Sequence, residues 1–252
     1  MILPVLPVPS AADSIRAAIA ASQGSIPFSS FMDFALYSEH GFYSTSGRAG
    51  RRGDFITSAE VGPLFGTVLA LAIDDVWKRL GQPDNFQIVE VGAGPGTLAR
   101  SILAAAPECL QRGEYITIET SAAQRALHPD GVTSTDSMPP VIENGVIIAN
   151  ELLDNIPFEL WVYDDGWREA HVIATGETFS EILVNSPVPA FLPSGAPHAS
   201  RAPIQREAAQ WLGDSLSILR RGSVIAFDYC TPLTAELLHD AVARMVTHIC
   251  KP

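Results

Sequence analysis

Apolar positions fall at helical spacing through the first third of the chain, and short apolar runs alternate with helical stretches after that. The stretch Ala11 to Gly24 is alanine-rich and apolar at Ile15, Ala18 and Ile19, which predicts a helix stopped by Gly24. Phe28, Phe31, Phe34 and Ala35 continue the spacing in a second helix, with Ser29 or Ser30 available as its cap. A long polar, glycine-rich loop follows, HGFYSTSGRAGRRGDFITSAE, of a length that suits a lid or binding loop. VGPLFGTVLALAIDDVWKRLG then reads as a strongly apolar helix closed by Gly81.

From Phe86 the period changes. FQIVEVG, EYITIET, GVIIANE and SVIAFDYC read as strands, the last two of them buried. TLARSILAAAPECL, SAAQRALHP (ended by Pro129) and IQREAAQWLGDSLSILRRG read as helices. FELWVYDDGWREAHVI reads as a hairpin turning at Asp164, Asp165 and Gly166, before a proline-rich stretch from Pro187 to Pro203. Strand and helix in alternation predict an α/β fold with a parallel sheet covered on both faces. The expected division is an N-terminal helical segment with a loop over 1–85, a parallel-sheet core over 86–252, and a hairpin insertion at about 158–185.

Composition adds bounds. The 252 residues are 47% hydrophobic and 17% charged, values of a globular protein. Acidic residues exceed basic ones by 28 to 16, a formal charge of -12, which opposes binding to phosphate backbones and leaves nucleic acid out of the expected partners. Cys109, Cys230 and Cys250 lack CxxC spacing and the histidines lack HExxH, so no structural or catalytic metal is expected. Prolines break the apolar start and no basic region precedes it, so neither a signal peptide nor a membrane span is expected and the cytoplasm is the expected location.

The chemistry is expected at the carboxyl ends of the parallel strands. There the first strand runs into QIVEVGAGPGTLAR, with glycines at 92, 94 and 96. A dinucleotide fingerprint needs a small residue where Thr97 stands. Glu90 puts a carboxylate where a pyrophosphate would be repelled and a cationic ligand attracted. Glu119, which with Thr120 ends the second strand, can take both hydroxyls of a ribose. Together they suit the ammonium and ribose of S-adenosylmethionine better than a phosphate cradle. Several of these residues also have ordinary readings: Asn150 and Asp154 suit a helix cap, and Asp54, Thr57 and Ser58 suit loop capping. Trp161 and Trp167 suit packing of the hairpin.

VEVGAGPGTL followed by ITIET resembles the cofactor pocket of class I, Rossmann-like methyltransferases. FMDFALYSEHGFYS, GDFITSAEVGPLFG, VEVGAGPGTL, ANELLDNIPF and GWRE, in that order, resemble the MidA family. These are S-adenosylmethionine-dependent protein arginine methyltransferases of bacteria and mitochondria, tied in mitochondria to complex I assembly. The family has proline where this chain has Ala59, and usually a second tyrosine where it has Phe42. The resemblance implies that Glu90, Gly92, Gly94 and Gly96 form the loop for the methionine end, and that Glu119 holds the ribose. It implies that Gly53, Asp54, Thr57 and Ser58 close over the cofactor, with Asp136 a candidate at the adenine edge. Asn150, Glu151 and Asp154 would sit where the methyl group is handed over, Glu151 foremost, to an arginine-bearing protein of unknown identity. After Tyr229 the reading TPLTAELLHDAVARMVTHICKP carries no strands where the family's sheet continues. A shortened sheet with an incomplete acceptor cleft is therefore expected. A catalytically weak binding or assembly factor that keeps the cofactor fold, and a nucleotide-dependent oxidoreductase, stand as alternatives.

Overall fold

A computed structural model describes residues 10–44 and 63–229. In chain order the elements are α1 (Ala11–Ala21), β1 (Ile26–Pro27), α2 (Phe28–Tyr37), α3 (Pro63–Arg79), β2 (Phe86–Val91), α4 (Thr97–Ala104), β3 (Glu114–Ile118), α5 (Ala122–Arg125) and β4 (Thr133–Thr135). They continue with β5 (Asn144–Asn150), β6 (Glu159–Tyr163), β7 (Trp167–Thr175), β8 (Thr178–Val184), β9 (Arg201–Ile204), α6 (Arg206–Ile218) and β10 (Gly222–Phe227). By their contacts these form two units. One comprises residues 10–41 and 156–208 with Tyr229, the other the described residues of 42–155 with 209–228.

The second unit is the predicted parallel sheet, five strands in the order β10-β5-β2-β3-β4. Its strands are apolar on both faces because both faces are covered. Phe86, Ile88, Tyr115, Val146 and Ile148 pack with Leu69, Ile73, Leu98 and Ile102 of α3 and α4. Val89, Val91, Ile116, Ile118 and Ile147 form the core of the other face, with Trp211 and Ile218 of α6 against it. The helix α3, grouped in sequence with the N-terminal segment, thus belongs with this sheet. Its inward stripe of Leu69, Ile73 and Val76 has the period of a helix laid on a flat apolar surface. The helix after the glycines is shorter than its apolar pattern, because Pro107 starts a separate 3-10 turn at Glu108.

The first unit is antiparallel. The β6–β7 hairpin turns where predicted, Asp164 N–H donating to the Gly166 carbonyl at 2.8 Å. It is the centre of a larger sheet rather than a lone hairpin: β1 and β8 both pair with β7, and β9 pairs with β6. Sequence reading missed four strands, β1, β4, β8 and β9; of these β1 and β9 have 2 and 4 residues and each contains a proline, so neither shows strand periodicity. Trp161 and Trp167 are buried with Ala202 and Ile204. α1 starts with a reciprocal capping box between Ser10 and Asp13. α2 does not use Ser29 or Ser30: Pro27 is its N-cap residue, without a side-chain cap, and both serines lie inside the first turn. Phe28, Phe31, Met32 and Leu36 form its buried face.

No helix among the described residues is long and apolar enough to cross a membrane. The segment after Tyr229, on which the expected shortening rests, lies outside the described residues.

Candidate functional site

The strand order reverses at β2, which has β3 on one side and β5 on the other. Loops leaving β2 and β5 must therefore part in opposite directions, and a crevice opens at their carboxyl ends. Gly92 to Gly96 leave β2 there. Gly92, Gly94 and Gly96 have φ of +69°, +53° and +79°, a conformation that penalises a Cβ. Space adds to the requirement: a Cβ on Gly92 would stand 2.9 Å from Leu152, and one on Gly96 would stand 2.9 Å from Pro129.

Glu119 emerges beside this loop at the end of β3 and is buried. Its carboxylate accepts from the Gly94 N–H at 3.0 Å and the Ser121 N–H at 2.8 Å, with the Thr120 hydroxyl at 3.5 Å. Two backbone donors fix its orientation and leave lone pairs for further donors, such as a ligand diol. Arg125 ties the neighbouring turn, donating to the carbonyls of Glu119 and Thr120 at 2.6 and 2.8 Å. It also stands 3.8 Å from Asp136, which is exposed just beyond β4. Asp136 thus joins the rim of the crevice through an ion pair that sequence reading did not anticipate.

Glu90 sits differently from the sequence expectation of a carboxylate offered to a ligand. It points into the α3–α4 face of the sheet, is 4% exposed, and accepts from the Tyr115 hydroxyl at 2.6 Å. Burial pushes its pKa up to about 7, with the Tyr115 bond opposing the shift. Its place is beneath the loop.

On the other side of the switch point, Asn150 ends β5 and Glu151 and Asp154 follow it, at the strand end as predicted. Glu151 has φ +52°, a left-handed conformation in a non-glycine residue, with its N–H held by the Phe227 carbonyl at 2.8 Å. Asn155 donates from Nδ2 to the Glu151 carbonyl and to Asp154 Oδ1, both at 2.9 Å. Tyr43 donates to Asn155 Oδ1 at 2.8 Å. Asp228, at the end of β10, accepts from the Leu153 N–H at 2.7 Å. Burial, then Asp228 and Glu151, push the Asp154 carboxyl up to about 6. The Asn150 side-chain oxygen is buried with no hydrogen-bond partner among the described residues.

Tyr43, Asn155 and Asp228 are thus site residues to which sequence reading assigned no role, although Tyr43 lies in the quoted HGFYS and Asp228 ends a predicted strand. Gly53, Asp54, Thr57 and Ser58 lie outside the described residues. Among the described residues no group of three or more His, Cys, Asp or Glu is arranged to hold a metal ion.

This constellation defines a Rossmann-like domain with a ligand crevice at the switch point, a glycine turn on one bank and carboxylates on the other. The profile of a family of S-adenosyl-L-methionine-dependent methyltransferases matches residues 68–249. The chain belongs to that family, in keeping with the resemblance to MidA. Over 192 residues it is 29% identical to the mitochondrial protein arginine methyltransferase NDUFAF7 homolog of Drosophila melanogaster, covering 64% of this chain and 44% of that protein. Over 83 residues it is 37% identical to human protein arginine methyltransferase NDUFAF7, covering 32% and 19%. A COG1565 superfamily member from Burkholderia thailandensis, solved with S-adenosyl-homocysteine bound, superposes with a TM-score of 0.76 at 28% identity, covering 90% of this chain and 66% of that one. The chain therefore spans less than half the length of the first of these relatives and about two thirds of the solved structure.

Proposed function

We propose that this chain binds S-adenosylmethionine in the β2–β5 crevice and transfers its methyl group to an arginine nitrogen of a protein. The observation that carries the reading is the juxtaposition of the positive-φ glycine turn and the buried Glu119 with the Glu151–Asp154 segment across one switch point. The residues fit the cofactor. A turn that excludes side chains leaves room for a close backbone approach, Glu119 keeps lone pairs for a diol, and Asn150 offers a buried acceptor. Gly92, Gly94, Gly96, Glu119 and Asn150 would hold it, with Asp136 on the rim and Glu90 supporting the turn from below. The name of the Drosophila relative and the ligand of the Burkholderia structure support the same reading.

The bound cofactor supplies an already activated methyl group, so the protein's task is alignment and charge control. A guanidinium stays protonated at ordinary pH, with a pKa above about 12, and it must be fixed by its planar fork. Glu151 and Asp154 supply carboxylates for that fork. Asp154, whose basicity is raised by burial and by two neighbouring acids, is suited to receive the proton the guanidinium sheds. Asn155, braced by Tyr43, orients Asp154 and the Glu151 carbonyl through the two bonds described above.

The test is transfer of radioactive methyl into arginine of candidate proteins, beside calorimetry with S-adenosyl-homocysteine. Binding and label with the intact chain, and loss of label alone on Glu151→Ala, are expected. Equal label with and without Glu151 would remove that residue from the role.

A further inference from the structure

We infer that His128 is a positioning residue for the cofactor turn: its imidazole clasps the Gly94 carbonyl and holds the turn in its binding conformation. The inference rests on the reading that Gly92 to Gly96 receive S-adenosylmethionine.

His128 lies between α5 and β4, and its Nε2 stands 2.8 Å from the Gly94 carbonyl oxygen. A carbonyl only accepts, so Nε2 carries the hydrogen. In the neutral ring Nδ1 is then an acceptor, and two hydroxyls face it, Thr117 Oγ1 at 2.9 Å and Ser134 Oγ at 2.8 Å. One ring therefore joins the turn after β2 to side chains of β3 and β4. It also packs on the turn: a Cβ on Gly96 would meet His128 Cδ2 at 3.2 Å as well as Pro129. A second clasp runs alongside, Arg100 donating to the Pro95 carbonyl at 2.7 Å and the Leu127 carbonyl at 2.9 Å.

The position of this bond gives it its consequence. The Gly94 N–H is held by Glu119, and the Gly94 carbonyl belongs to the peptide bond with Pro95, which has no N–H to anchor that plane. With glycine's freedom on one side, His128 is the hydrogen-bond partner that fixes that carbonyl among the described residues. Release it and the turn gains alternative conformations, which the ligand must then reselect at a cost in affinity.

The experiment uses the full chain, S-adenosyl-homocysteine calorimetry, and two variants. His128→Leu keeps bulk and removes every polar contact, whereas His128→Gln keeps an N–H donor that can reach Gly94. The expected result is roughly tenfold weaker binding for His128→Leu, the effect of about one hydrogen bond, and recovery to within about threefold for His128→Gln. The imidazole nitrogen shifts of the ligand-free protein should report the Nε2–H tautomer. Unchanged affinity in His128→Leu, with the wild type binding, overturns the clasp and leaves the cofactor reading intact. Equal losses in both variants reduce the ring to packing and overturn it too. Should the leucine variant not fold, the glutamine variant and the tautomer decide, and an Nδ1–H tautomer sinks the inference. No binding by the wild type removes the cofactor reading and this inference with it.

Discussion

The two sheets of this chain obey different rules. In the parallel one, β2, β3 and β5 are buried almost end to end, and their sequences are mostly apolar. In the antiparallel one, β7 mixes buried and half-exposed positions and β8 has no fully buried residue. The difference follows from what covers each sheet. Crossover helices put cover on both faces of a parallel sheet, whereas hairpins do not. It also explains where chemistry can gather. Parallel strands all deliver their carboxyl-end loops to one edge, so Gly92 to Gly96, Glu119, Asp136, Asn150 and Asp228 arrive together although they are spread over the sequence. Antiparallel strands send alternate loops to opposite edges, and cannot concentrate them in this way.

The comparison can be broken most forcefully at the site. Glu151→Ala is expected to lower methyl transfer about a thousandfold while leaving S-adenosyl-homocysteine affinity within about twofold, because the role proposed for Glu151 is toward the acceptor and not the cofactor. Parallel loss of both would place Glu151 with the cofactor instead.

The next test compares cores. Ile147 is fully buried between Val89 and Val224 of adjacent strands, and Ile147→Ala should cost about 3 kcal/mol in denaturant unfolding. A loss below about 1 kcal/mol would mean that the parallel sheet is not packed as described.

Glu90 sharpens the contrast by pH. Its folded pKa of about 7 lies above the unfolded value of 4.5, so the folded state binds the extra proton. Its contribution is fully present below about pH 4.5 and is lost as pH rises through about 7. Glu90→Gln should therefore be neutral at pH 4.5 and raise the melting temperature at pH 8, by an effect on the order of 2 kcal/mol. A gain that does not depend on pH would contradict the buried carboxyl. The smallest effect belongs to the antiparallel sheet: Ser180→Ala, at an exposed position of β8, should change stability by less than about 0.5 kcal/mol.

Much of this was legible because the signals are local. The glycines of the turn, the apolar runs of β2, β3 and β5 and the Asp164–Gly166 hairpin each declare themselves within a few neighbouring residues. Strand-end position then singled out Glu119, Asn150, Glu151 and Asp154 before any tertiary contact was known. What stayed hidden depends on partners far along the chain. His128 meets Gly94 across 34 residues, Asp228 meets Leu153 across 75, and Tyr43 meets Asn155 across 112. No spacing rule links such positions. The strands β1 and β9 were hidden for another reason, being too short and too proline-bearing to show a period.

By itself, then, the amino-acid sequence determined the alternation of strand and helix, the glycine turn and the acids at the strand ends, because steric and hydrophobic preferences act on each residue through its near neighbours. Only the tertiary structure decided that Glu90 is turned inward onto Tyr115, that burial and then the neighbouring Asp228 and Glu151 push the Asp154 carboxyl up to about 6, and that a histidine outside every motif clasps the turn. Those outcomes depend on which side chains the packed sheet brings within about 3 to 4 Å of one another, the range over which hydrogen bonds and unscreened charges act.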